Sequence, residues 1–285
     1  MLHGHVGTDP YPLYITYSLE RFGDFAPLYE FVHAQKPPKG GISFDVGDST
    51  RPNMAGQITG AQAVLSAIRE GVDVKLVLVD REANCYEIRN ECKSRGIIIE
   101  EGSTNDLWRM SLDGQQDALA LVGREPEGTL DEVMQRSGVI WLFDGVTYST
   151  NLGFAIRTAE VSGATAVLIN IEKTHAERRT IRRAGMRADR FIPVVYATTE
   201  EILAANNRPI IVAEDVGDKA PWDVDLTGEV LLVVGAENEG VSQIVLDAAN
   251  EIVRLPMEGF VPSYNLQVAV SSLALERLRQ ISSEL

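Results

Sequence analysis

From Val139 onward, short apolar runs alternate with segments of helical period, and this alternation narrows the possible folds more than any other feature of the chain. The runs Val139–Phe143, Ala166–Asn170, Phe191–Val195, Pro209–Ala213, Val230–Val234 and Ile252–Leu255 are short and rich in β-branched residues, which predicts strands. Between and after them, helices are predicted over Asn151–Ser162, most of Lys173–Arg190, Thr199–Ala205, Ser242–Ala249 and Asn265–Ile281. In the first of these, Leu152, Ile156 and Ala159 fall on one face, and Asn151 is placed to cap the helix. Strands that alternate with helices imply an α/β fold with a mostly parallel sheet covered on both faces.

A shorter series precedes this one. Helices are predicted at Ala61–Glu70, Ala83–Arg95 and Asn105–Met110, with strands at Val74–Val79, Gly96–Glu100 and Ala118–Val122. The chain therefore divides into an N-terminal extension (1–52), a small α/β unit (53–123), a linker with a Pro/Gly break and a polar helix (124–138), and a larger α/β unit (139–285). A short helix around Leu19–His33 fits the extension, whose role is not legible.

The formal net charge is -15 and the pI about 4.7, which argues against a surface that embraces nucleic acid everywhere. One island breaks the acidic trend. Lys173–Arg190 holds Lys173, Arg178, Arg179, Arg182, Arg183, Arg187 and Arg190 against only Glu177 and Asp189. A single-sign run reads either as a solvated helix face or as an anion-binding patch. No apolar run is long enough to span a membrane, and the first residues lack the pattern of a secretion signal, so a cytoplasmic protein is expected. Cys85 and Cys92 have no metal-type spacing and read as reduced packing residues; no metal site is expected.

The usual nucleotide signatures are missing: no G-x-G-x-x-G follows an early strand, and there is no G-x-x-x-x-G-K-[ST]. The glycine-rich loop comes late instead, as Gly235-Ala236-Glu237-Asn238-Glu239-Gly240 after a strand. A second strand stops at Pro256, and a polar loop opens the last helix at Ser263-Tyr264-Asn265. Loops at strand carboxyl ends are where open α/β sheets hold ligands.

Three segments, DGVTYSTNLGFAIRTAEVSGA (144–164), LLVVGAENEGVS (231–242) and LPMEGFVPSYNLQVAVSSLALE (255–276), together resemble in order and spacing the three motifs of the SpoU/TrmH RNA ribose 2′-O-methyltransferases of the SPOUT superfamily. The resemblance covers 139–285. The unit at about 55–123 is similar to the ribosomal-protein-like RNA-binding domain that often precedes such a catalytic domain. The resemblance implies a deep trefoil knot, S-adenosylmethionine as cofactor, a homodimer through the C-terminal domain, and an rRNA or tRNA substrate. A base-methylating relative, or a knotted RNA-binding or assembly protein without turnover, are the other readings.

Carried over by position, the resemblance implies a catalytic set of Asn151, Arg157, Glu237, Ser263 and Asn265, and a cofactor set of Gly235, Ala236, Gly240, Leu255, Met257 and Tyr264. Each has a plainer reading. Gly235 and Gly240 serve as turn glycines, and Leu255 and Met257 as core. Asn151, Ser263 and Asn265 serve as helix caps, Arg157 as a surface arginine, and Glu237 as an exposed loop acid. Arg178, Arg179, Arg182 and Arg183 are the candidate RNA contacts. Tyr264 departs from the family, which usually has leucine there. Backbone contact at 264 tolerates tyrosine, whereas a side chain packed on adenine reshapes the pocket.

Overall fold

The computed structural model describes residues 56–283. The first sheet comprises β1 (Gly56–Thr59), β2 (Val74–Asp80), β3 (Ile98–Gly102) and β4 (Ala118–Val122), with helices α1 (Ala61–Glu70), α2 (Tyr86–Arg95) and α3 (Thr104–Met110). Its order is β1-β4-β2-β3, with β2 and β3 parallel and the β4 pairings antiparallel. Alternate residues of β2 face opposite ways, as the two-residue period of a strand requires. Val77 and Val79 pack with Val64 and Ile68 of α1 and Cys92 of α2, while Leu76 and Leu78 meet Leu107 of α3.

Burial pushes the Cys92 thiol up to about 11, and Cys85 moves the same way. Thiolates are the reactive species. Maleimide labelling of the native protein at pH 8 is therefore expected to be negligible while the unfolded chain modifies at both sites; rapid native labelling would show that this core opens.

The segment expected as a linker is tied down along its length. It contains helix α4 (Leu130–Met134), whose Val133 and Met134 are buried under the second sheet. The buried Arg124 donates from Nε to the Phe191 carbonyl at 2.9 Å, from Nη1 to the carbonyls of Glu160 and Ala164, and pairs with the Glu160 carboxylate. Arg208, also buried, donates to the carbonyls of Met134, Arg136 and Gly138. Each arginine thus spends its donors on backbone carbonyls of neighbouring segments.

The second sheet holds β5 (Ile140–Asp144), β6 (Ala166–Ile169), β7 (Val194–Tyr196), β8 (Ile210–Ala213), β9 (Leu231–Gly235) and β10 (Glu251–Val253) in the order β10-β8-β9-β5-β6-β7. Every pairing is parallel. Its helices are α5 (Ser149–Val161), α6 (His175–Ala184), α7 (Thr199–Ala205), α8 (Gln243–Ala248) and α9 (Leu266–Ser283). Trp141 and Phe143 of β5 point toward Leu152 and Ile156 of α5 and Val270 and Leu273 of α9. Ile140 and Leu142 point toward α4, Ile202 of α7 and Val245 of α8. Both faces are covered, so the central strands read as unbroken apolar runs. Each fully buried aliphatic side chain here contributes roughly 1.5–3 kcal/mol.

Two local arrangements matter for the site. α6 sits close on α5 because glycine stands at the contact, within α5 and just past the end of α6: a Cβ on Gly153 would lie 2.4 Å from the Ile181 carbonyl oxygen, and one on Gly185 2.7 Å from the Gly153 carbonyl oxygen. The connection from β8 to β9 runs outside β10. Lys219 bridges Val253 in parallel on that strand's outer edge, and Arg254 N donates to the Lys219 carbonyl at 2.8 Å. Gly217 comes so near that a Cβ would lie 2.7 Å from the Val253 carbonyl carbon. β10 is thus enclosed between β8 and the chain that follows β8.

No helix among the described residues is long and apolar enough to cross a membrane. The expected helix at Leu19–His33 lies outside the described residues.

Candidate functional site

A cleft of about 560 Å³ opens at the carboxyl end of β9, between the loop 235–240, the segment 254–266 and the start of α5. Its loop is closed tightly. Ala236 and Gly240 exchange two backbone hydrogen bonds of 3.0 Å each. A Cβ on Gly235 would lie 2.2 Å from the Gly240 carbonyl carbon and 2.3 Å from the Val241 nitrogen, so glycine is demanded by the loop's own backbone. Gly240 has φ +69°, the left-handed region that glycine adopts without penalty. Glu214, just past β8, accepts from Val241 N at 2.8 Å and fastens the loop's far end.

Asn151 does not cap α5. The helix begins two residues earlier, with Tyr148 at the cap, and Asn151 lies in the first turn. Its Nδ2 donates to Glu237 Oε1 at 2.9 Å, and its Oδ1 accepts from Asn265 Nδ2 at 3.5 Å. Asn265 also caps α9, accepting from Gln267 N at 2.9 Å. The second carboxylate oxygen of Glu237 is buried and meets no partner among the described residues. Glu237 is therefore not a solvated loop acid; one oxygen holds Asn151 and the other remains available at the cleft.

The early start of α5 follows from Lys173, and here the sequence reading is corrected. Lys173 is not part of an exposed basic patch. Its side chain is 1% exposed, and Nζ donates to the carbonyls of Val146 at 2.9 Å and Thr147 at 3.0 Å. Burial pulls the ammonium below the ordinary lysine range, opposed by Glu177 and Glu237. Removing it in Lys173→Met would leave two carbonyls unpaired, at about 1–3 kcal/mol each. We expect a lower melting temperature together with weaker ligand binding in the cleft, because the loop that launches Asn151 loosens. Calorimetry and thermal unfolding check this; a variant with both properties intact would remove Lys173 from the site's framework.

A layer beneath the cleft went unread in the sequence. Asp144, buried at the end of β5, accepts from Ser242 N at 2.6 Å and from Asn170 Nδ2. Asn170 in turn accepts from Gly145 N at 2.7 Å and donates to Thr199 Oγ1. Asp144, Asn170 and Glu214 share one signal: each is a polar residue closing or directly following a buried parallel strand.

Every residue expected at the cofactor or in catalysis lines this cleft except Arg157: Gly235, Ala236, Gly240, Leu255, Met257 and Tyr264, with Asn151, Glu237, Ser263 and Asn265. Tyr148, Arg254 and Asp215 line it too. Tyr264 sends its hydroxyl to the Pro256 carbonyl at 2.9 Å, closing the 256–264 segment. Arg157 is exposed and lies in a different depression, with Arg109, Met110 and Met186. It stands six residues from Asn151, about 9 Å along the helix and well round its circumference.

The four candidate RNA-contact arginines also divide. Arg178 lies 4.2 Å over the Tyr196 ring and donates to the Lys173 carbonyl, and Arg182 pairs with Asp189 at 2.9 Å. Arg179 and Arg183 are exposed and make no ion pair among the described residues.

The cleft lies beyond the strand ends of a parallel open sheet, which is where α/β proteins of this architecture bind small molecules. Residues 138–274 match the SpoU rRNA Methylase family. The chain is 35% identical over 161 residues to the 23S rRNA (guanosine-2'-O-)-methyltransferase RlmB of Pseudomonas aeruginosa, an alignment that covers 54% of this chain and 65% of that one. The chain thus spans a little under two thirds of that relative's length. The RlmB of Xanthomonas campestris is 29% identical over 239 residues, covering 78% of this chain and 96% of its own. The fold is similar to the crystal structure of an AdoMet-bound rRNA methyltransferase from Sinorhizobium meliloti, with TM-score 0.53 and 21% identity, covering 80% of this chain and 88% of that one.

Proposed function

We propose that the protein is an S-adenosylmethionine-dependent RNA methyltransferase that methylates a ribose 2′-hydroxyl of rRNA. The observation that carries this is the joining of Asn151, Glu237 and Asn265, distant in sequence, at one cleft inside a SpoU family domain. The naming of relatives as 23S rRNA guanosine-2′-O-methyltransferases supports the substrate class.

The residues present suit the cofactor. Apolar Val234, Leu255, Met257 and Leu266 give a surface for a purine, and the acids Glu214, Asp215 and Glu237 outnumber Arg254, which favours a cationic ligand. The partnerless oxygen of Glu237 is an acceptor in want of a donor. When bound, S-adenosylmethionine supplies an activated methyl group. Gly235, Ala236, Gly240, Leu255, Met257 and Tyr264 would hold it. Asn151, Ser263 and Asn265 would orient the acceptor ribose, with Glu237 fixing Asn151. Arg157 presents a guanidinium cation, so its role is to clamp the neighbouring phosphate and stabilise charge on the 2′-oxygen as the proton departs.

The finer architecture belongs to the same proposal. The chain after β10 is threaded as a deep trefoil knot; support comes from the enclosure of β10 between β8 and Lys219. The small α/β unit expected over 53–123, whose sheet is described from Gly56 to Val122, acts as a substrate-binding domain ahead of the methyltransferase domain at 139–285. A homodimer forms through α5 and α9, which pack on each other while leaving Phe154, Val268 and Leu275 exposed.

The test is calorimetry with S-adenosylmethionine, followed by methyl transfer to rRNA and tRNA and nucleoside analysis of the product. Cofactor binding with 2′-O-methylated ribose is expected. Methylated bases would move the activity to another acceptor, and cofactor binding without transfer to any RNA would mark an assembly protein.

A further inference from the structure

A cleft of about 800 Å³ lies where the two sheets meet, lined by Arg109 from α3 and by Arg179, Arg182, Arg183, Arg187 and Arg190 from α6 and the turn beyond it. The depression that holds Arg157 adjoins it, because Arg109, Met110 and Met186 line both. Together they make a continuous trough from Arg157 on α5 to the exposed face of α6. Its turn is bought with strain: Met186 (φ 52°) and Arg187 (φ 59°) are the non-glycine residues with left-handed backbone among those described. That turn sets Met186 at the junction of the two hollows.

The arginines fall into two groups. Arg182 pairs with Asp189, Arg187 reaches Asp106 at 3.8 Å, and Arg190 pairs with Glu100 of β3 at 2.6 Å. The last two pairs tie the small sheet to the large one. Arg109, Arg157, Arg179 and Arg183 have no ion pair among the described residues, although the chain carries an excess of acids. Four unpaired guanidiniums along one trough, in a chain of net charge -15, mark where a polyanion is held.

Building on the RNA-methyltransferase reading, we propose that this trough is the track of the RNA strand. Arg109 of the small sheet, with Arg179 and Arg183, contacts its phosphates, while Arg182, Arg187 and Arg190 hold the trough's shape. Arg109 is thus a substrate-binding residue that the basic run of α6 does not contain, and it makes the small sheet part of the binding surface through charge.

The test is fluorescence anisotropy of a labelled single-stranded RNA of about twenty nucleotides, titrated from low to high KCl. Each phosphate contact on a single strand contributes about 0.7 to the slope of log affinity against log salt. The Arg109→Ser slope should be shallower by about 0.7, and the Arg109/Arg179/Arg183→Ser slope by about 2. Arg109→Lys, which keeps the charge, should retain the wild-type slope. A wild-type slope in Arg109→Ser overturns the proposal, and so does a slope lost equally in Arg109→Lys. Polyglutamate competing as well as RNA of equal charge would reassign the trough to an acidic protein partner. Calorimetry with S-adenosylmethionine on the same samples keeps the two readings apart: failure of the cofactor to bind the wild-type protein refutes the enzyme, while an unchanged salt slope refutes the track.

Discussion

Gly235→Val is expected to lower the melting temperature by roughly 6–12 °C and to abolish binding of S-adenosylmethionine. The reason is internal to the protein. Three backbone atoms, Gly240 C, Val241 N and Gly240 O, lie 2.2–2.4 Å from where the new Cβ must go. No flexible side chain is there to yield, so the loop must open and lose the paired hydrogen bonds between Ala236 and Gly240. Overpacking of this kind costs about 3 kcal/mol, and a domain of this size loses about 2–4 °C per kcal/mol. If glycine served only to let a ligand approach, binding would vanish while the melting curve stayed put. Gly235→Ala separates these cases in one pair of measurements, thermal unfolding and calorimetry. A stable alanine variant that still binds would show the loop to be more pliable than its geometry states.

Arg157→Ala should reduce methyl transfer by about a hundredfold, as loss of a charged transition-state stabiliser does. Cofactor affinity should stay at the wild-type value, because Arg157 lies outside the cleft that the cofactor set lines. Its side chain is exposed and unpaired, so the melting temperature should not move. Single-turnover transfer at saturating RNA, beside cofactor calorimetry, reads both quantities. Near-wild-type turnover would remove Arg157 from the reaction; weakened cofactor binding would mean that the arginine reaches the cleft in solution.

The strand and helix pattern was open to reading because both faces of the large sheet are covered, which leaves runs such as Leu231–Gly235 wholly apolar. Boundaries slipped where a tertiary contact set them. α5 starts at Ser149 because Lys173 grips the carbonyls before it, and no local signal at Asn151 announces that. Lys173 itself was hidden by its company: it begins a charged run, and its Nζ is held by the carbonyls of Val146 and Thr147, 27 and 26 residues earlier. The cleft's residue types were legible through their motifs, but the partners that position them, Asp144, Asn170 and Glu214, lie in other segments and meet them only on folding. Arg109 was invisible for the same reason, since it stands in another sheet from the basic run it joins.

The enclosure of β10 also has a temporal side. The Asn151–Asn265 contact spans 114 residues, and Asp144 reaches 98 residues forward to Ser242. Contacts of such separation form late, because a long loop must be closed before any of them is rewarded. During synthesis, β5 to β9 can emerge and begin to pair before β10 exists. The cleft cannot assemble until the segment beyond β10 has been laid back across the strand ends. A ligand of this cleft would therefore need the segment beyond β10 in place, since that segment supplies Leu255, Met257, Tyr264 and Asn265 to the lining.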